Sequence, residues 1–136
     1  MSERLFVYGT LRKDSPNSMH RVLARDARFV ARARTRGRLY DLGAYPGMVA
    51  SATGGWVRGD VYELGDPAAV LARLDAYEGC GPDDAEPHEY QRVRCEVLMD
   101  SGERDTVWTY VYRGALGGKR QIASGDYCRP DDPAGV

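Results

Sequence analysis

The stretch from Ala27 to about Leu42 constrains this chain more than any other. Phe29, Ala31, Ala33 and Leu39 fall on one parity, and Arg32, Arg34, Arg36 and Arg38 fall on the other. A period of two marks an extended strand, because successive side chains leave the backbone on opposite sides. One face is therefore expected to be buried and the other wet, so the chain must build a sheet around an apolar interior. Further strands follow from the same logic. Leu5-Phe6-Val7 is a short apolar run, and Trp56 to Leu64 forms a second strand-like block. Val93, Cys95, Val97 and Met99 alternate, as do Trp108, Tyr110 and Tyr112, with the turn-forming Asp100-Ser101-Gly102 between them. That pair predicts an antiparallel hairpin.

Only two helices are expected. Ser15-Pro16 can open one that runs to about residue 25, with Met19, Val22 and Leu23 on one stripe. Asp66 suits the N-cap of the other, with Pro67 at its first position, Val70, Leu71, Leu74 and Tyr77 at helical spacing, and Gly79 as the stop. Residues 80–89 then carry two prolines and four carboxylates without periodicity, which predicts an exposed loop. The expected fold class is α+β: a small mixed β-barrel or strongly curled sheet with about two main helices. It is expected to form one domain over residues 1–129, with a flexible tail at 130–136.

A length of 136 residues, 43% of them hydrophobic and 29% charged, suits one core. A formal net charge of -1 gives no general attraction to nucleic acid or to anionic membranes. The arginine row could meet phosphates, but its alternation predicts a solvated strand face, so no nucleic-acid partner is expected. No apolar run approaches the roughly 20 residues of a membrane span, which makes the cytoplasm the default compartment. Cys80, Cys95 and Cys128 form no close pair, and Asp83, Asp84, Glu86, His88 and Glu89 match no calcium or zinc spacing. Neither His20 nor His88 has a convincing nucleophile beside it. No metal site is expected.

Two short segments carry candidate chemistry. Tyr8-Gly9-Thr10-Leu11 follows a strand-like run, and a turn there can aim several backbone N–H groups at one carboxylate. Taken alone it reads more readily as an ordinary tight turn. Leu74-Asp75-Ala76-Tyr77-Glu78-Gly79 ends a helix on an acidic side chain. The negative end of the helix dipole and partial burial would both disfavour a charged Glu78. An exposed glutamate closing an amphipathic helix is the plainer reading.

In series with Asn17, Gly37-Arg38-Leu39-Tyr40-Asp41-Leu42-Gly43, Tyr45-Pro46-Gly47, Val57 to Leu64, Tyr90-Gln91-Arg92 and Ser124-Gly125-Asp126-Tyr127, these segments resemble the gamma-glutamylcyclotransferase-like (AIG2-like) family. That family includes the gamma-glutamylamine cyclotransferases. Asp14 departs from it, standing where relatives commonly carry glycine. The resemblance implies a small mixed barrel that converts a gamma-glutamyl amide into 5-oxoproline and a free amine, without metal or organic cofactor. It implies Glu78 as the proton shuttle and Tyr8, Gly9, Thr10 and Leu11 as the holder of the substrate's alpha-carboxylate. Tyr90, Arg92, Tyr112 and Tyr127 become candidates for lining the pocket or orienting Glu78. The alternative is a noncatalytic module binding an amino-acid-like molecule in the same pocket, since a fold does not guarantee its chemistry. The acidic loop after Glu78 would favour cationic leaving amines. Nothing in the sequence sets the oligomeric state.

Overall fold

Strand β1 (Arg4–Val7) is apolar on both faces because both faces are covered. The computed structural model describes residues 3–8, 25–43, 46–82 and 86–126. Besides β1 these contain β2 (Ala27–Asp41), β3 (Pro46–Ala50), β4 (Trp56–Leu64), α1 (Pro67–Tyr77), β5 (Tyr90–Met99), β6 (Arg104–Tyr112) and β7 (Arg120–Gln121). Five strands run β2-β4-β1-β6-β5, and β5 returns to β2 through Ala33↔Met99 and Arg34↔Leu98, closing a barrel. All its pairings are antiparallel except β1 with β6, so the barrel is mixed. β3 folds back on the far half of β2, from Gly37↔Ala50 to Asp41↔Pro46. The expected barrel is thus present. Of the first expected helix, only the final residues Arg25 and Asp26 are described, and they are helical. The rest lies outside the described residues, as do the chain's last ten positions.

Alternation sorts the apolar residues into two cores. Phe6, Tyr8, Val57, Val61, Val97, Val107 and Val111 fill the barrel, closed in by Leu39, Met48 and Ile122. Leu5, Val7, Tyr62, Leu64, Tyr90 and Tyr110 project from the outer wall and are roofed by Val70, Leu71 and Leu74 of α1. Strands covered on two sides read as continuous apolar runs rather than as clean alternation. Close packing leaves little slack at their crossings. A Cβ on Gly59 would lie 2.2 Å from the Val7 carbonyl oxygen and 2.8 Å from the Phe6 ring.

Two expectations need correction. Phe29 does not share a face with Ala33 and Leu39. The β2–β4 register shifts between Phe29 and Ala31, a bulge that resets parity, so Phe29 packs edge-on against Tyr62 under the helix at 5.7 Å between ring centroids. Tyr77 is not part of the buried helical stripe either: it is 42% exposed, while Val70, Leu71 and Leu74 are buried. The arginine row behaves as expected, with Arg32, Arg36 and Arg38 exposed. Arg34 and Arg36 lie over the Trp56 ring at 4.8 and 4.0 Å. No helix among the described residues is long and apolar enough to cross a membrane.

Candidate active site

The site begins with the way α1 starts and stops. The Asp66 carboxylate accepts the Ala69 N–H at 3.3 Å, and Pro67 occupies the first turn, where its missing donor costs nothing. At the other end the Gly79 N–H reaches the Ala76 carbonyl at 3.2 Å, and the Cys80 N–H reaches the Asp75 carbonyl at 2.9 Å. This paired closure requires a left-handed residue at position 79, and Gly79 supplies it with φ +74°. Glu78 is thereby fixed as the C-cap residue, directly after Tyr77. It lies one turn beyond Leu74, which is 1% exposed against the barrel, so the two side chains share a face.

Burial raises the Glu78 carboxyl from its ordinary 4.5 to about 7, and among the described residues no cation offsets that rise. The Tyr8 phenol is buried in the barrel mouth, donating to the Tyr110 carbonyl at 2.6 Å and accepting the Met48 N–H at 3.2 Å. Burial pushes its pKa well above the ordinary phenol range. The Met48 N–H opposes this, and the charge of Glu78 adds to it. Tyr8 follows the end of β1, the point from which residues 9–11 continue. Gly9, Thr10 and Leu11 themselves lie outside the described residues, as do Asn17, Tyr45, Asp83, Asp84 and Tyr127.

Three of the other candidates are tied to named partners. The Tyr90 hydroxyl donates to the Pro46 carbonyl at 2.6 Å, and its ring meets Tyr112 edge-on at 5.6 Å. Tyr112 packs against Gly47, where a Cβ would come within 2.8 Å of it. Both tyrosines belong to the cluster that α1 covers on the outer wall. Arg92 lies outside the barrel, with its guanidinium 4.4 Å from the Trp108 ring centroid. It grips Asp75 through Nε at 2.8 Å and a terminal nitrogen at 3.2 Å.

Asp75 and Tyr110 are the residues that sequence reasoning missed. Tyr110 donates its hydroxyl to the same Asp75 carboxylate at 2.6 Å. Asp75 stands inside the helix-end block, but its partners are 17 and 35 positions away, and no local periodicity can register them. Cys80 and Cys95 are free thiols, and burial pushes both up to about 11. At neutral pH they are protonated and poor nucleophiles.

Keeping that carboxyl group buried has a stability consequence with a definite sign. A folded-state value of about 7 against an ordinary 4.5 means that the folded chain holds a proton the unfolded chain has released between those limits. Stability therefore falls as pH rises through this window, and the full cost is present above it. Glu78→Gln is expected to unfold at higher temperature than the unsubstituted protein at pH 8, by the equivalent of about 2 kcal/mol. The difference should close as pH approaches 4.5, which paired thermal melts across that range will show.

The sequence matches the family model for gamma-glutamyl cyclotransferase, AIG2-like, over residues 5–129. It is 36% identical over 122 residues to gamma-glutamylaminecyclotransferase of Bos taurus, a match covering 82% of this chain and 65% of that protein. It is 33% identical over 135 residues to the gamma-glutamylcyclotransferase family protein YtfP of Escherichia coli K12, covering 94% and 98% of the two chains. The crystal structure of a mouse AIG2-like protein superposes with a TM-score of 0.72 at 26% identity, over 99% of this chain and 93% of that one. Sequence and architecture agree along nearly the whole length, and the chain belongs to the AIG2-like gamma-glutamyl cyclotransferase family.

Proposed function

We propose that this protein converts a gamma-glutamyl amide into 5-oxoproline and a free amine, with Glu78 carrying the proton between the two nitrogens. The observation that supports this most directly is the Glu78 carboxyl, held at the end of α1, desolvated there so that its pKa rises to about 7, and its charge felt by the Tyr8 phenol. The ring-closing nucleophile is the substrate's own alpha-amino group, so the protein has no need of a nucleophilic side chain. Seating the glutamyl unit in a folded conformation makes the attack intramolecular, a proximity effect worth several orders of magnitude in effective concentration.

The steps balance within the substrate and one carboxyl group. The Glu78 carboxylate takes a proton from the alpha-ammonium, and the freed nitrogen bonds to the gamma-carbonyl carbon, moving an electron pair onto oxygen. The protonated Glu78 then gives that proton to the departing amide nitrogen. The carbonyl re-forms as the old C–N bond breaks, and the ring nitrogen passes its remaining extra proton through the regenerated Glu78 carboxylate to the released amine, leaving 5-oxoproline, an ammonium product and a carboxylate ready for another cycle. A carboxyl group near 7 accepts and returns a proton at neutral pH more evenly than one near 4.5. In this reading the N–H groups of residues 9–11 hold the alpha-carboxylate. The Tyr8 hydroxyl, tied to Met48 and Tyr110, fixes where that turn starts.

Incubation with a panel of gamma-glutamyl amines and gamma-glutamyl peptides, scored for 5-oxoproline, tests the reaction. Binding without 5-oxoproline from any member would overturn it in favour of a binding module. The active substrate should also show kcat/KM falling about tenfold per pH unit below pH 7, because only the deprotonated shuttle starts the cycle. A profile that stays flat from pH 5 to 8 would remove Glu78 from that role.

A further inference from the structure

The last turn of α1 is joined to the barrel by one polar clasp as well as by its apolar face. The Asp75 carboxylate receives Nε and a terminal nitrogen of Arg92 from β5, and the hydroxyl of Tyr110 from β6. Arg92 is itself held over Trp108. The main chain of Asp75 acts in the same place, since its carbonyl accepts the Cys80 N–H that stops the helix immediately after Glu78. Tyr110 works on both sides of the barrel wall. Outside, its hydroxyl holds Asp75; inside, its carbonyl takes the hydroxyl of Tyr8. One residue of β6 thus connects the helix turn that carries Glu78 with the strand end that leads into residues 9–11.

The apolar contacts of Val70, Leu71 and Leu74 already bury one face of α1. Such contacts are non-directional and allow a helix to slide or roll by a fraction of an ångström. A bidentate arginine–carboxylate pair with a third hydrogen bond is directional, and it fixes rotation and height together. Proton transfer requires that definition, because it demands hydrogen-bond reach to two nitrogens in turn.

We propose that Asp75 is a positioning residue for Glu78, acting with Arg92 and Tyr110 as a clasp that sets the shuttle's distance from the end of β1. This rests on the reading of Glu78 as the proton carrier. Asp75→Asn keeps the shape and one acceptor but loses the charge that holds Arg92. We expect kcat for a gamma-glutamyl substrate to fall about 30-fold while KM stays within threefold, with the circular dichroism spectrum unchanged. Tyr110→Phe should lower kcat about tenfold. The double variant should be little worse than Asp75→Asn alone, since both remove the same device. A merely structural clasp would lower the melting temperature and leave kcat intact when assayed well below it.

A folded Asp75→Asn protein with full kcat, or one changed only in KM, overturns the proposal. Should Asp75→Asn fail to fold, Tyr110→Phe decides by the same split between kcat and KM. Glu78→Gln, assayed alongside, separates the two claims. If it is inactive while Asp75→Asn and Tyr110→Phe are fully active, only the clasp fails. If it is fully active, the shuttle assignment fails with it.

Discussion

Glu78→Gln is expected to keep its fold and lose about 10³-fold in kcat, within the range that a positioned general acid–base group contributes. Glutamine occupies nearly the same volume, keeps a carbonyl acceptor and cannot exchange a proton. KM should move only a few-fold, because the group works on the proton in flight and the alpha-carboxylate is held elsewhere. Steady-state production of 5-oxoproline at saturating substrate gives the first number, and the concentration dependence gives the second. An unchanged kcat with a greatly raised KM would recast Glu78 as a binding residue. The same substitution should raise the melting temperature above pH 7, since the buried charge disappears. A gain in stability accompanied by a loss of turnover is the pattern of a site where function holds a group in an environment that folding alone would not select.

Gly59→Ala is expected to be the most damaging small substitution in the barrel. The added methyl would stand 2.2 Å from the Val7 carbonyl oxygen and 2.8 Å from two carbons of the Phe6 ring. A flexible side chain could move aside at low cost. The carbonyl cannot, because β1 is locked to β4 through Val7↔Asp60 and its three neighbouring pairs. Relief would require prising β1 from β4 at the residue before Tyr8. A loss of about 4 kcal/mol is expected, in the range reserved for backbone-level overpacking, and urea titration will measure it. Gly55→Ala is the control: nothing lies within 4 Å of its added atom, and the change should stay within about 0.5 kcal/mol. Equal effects at the two positions would mean that the β1–β4 crossing has room the geometry does not suggest.

Local patterning carried the elements far and the assembly only part of the way. The alternation from Ala27 to Leu42 marks β2, which ends at Asp41, and the block Trp56 to Leu64 coincides with β4. Asp66, Pro67 and Gly79 act at α1 as cap chemistry dictates. The bulge between Phe29 and Ala31 has no marker in composition, so parity counted straight through it put Phe29 on the wrong face. In β6 the aromatic stripe Trp108, Tyr110 and Tyr112 alternates cleanly, yet it faces the helix, while Val107, Thr109 and Val111 face the interior. Alternation identifies two stripes, and only the third dimension says which is inside. Glu78 illustrates the same limit for chemistry. Its place at a helix end was legible, but its burial is a property of the assembled fold, and family resemblance alone singled it out. Asp75 escaped notice because its partners come from β5 and β6, strands that no local pattern links to the helix.

The parallel pairing of β1 with β6 has a consequence for how the chain is made. β1 hydrogen-bonds first to β4 and then to a strand about a hundred positions later, with the Thr109 hydroxyl donating to the Phe6 carbonyl across 103 residues of sequence. Closing so long a loop is entropically costly, and topologies dominated by such contacts fold slowly. During synthesis β1 leaves the ribosome long before its second neighbour exists. Its greasy surfaces must stay clear of other nascent chains through most of translation, shielded until the hairpin of β5 and β6 arrives to seal the wall.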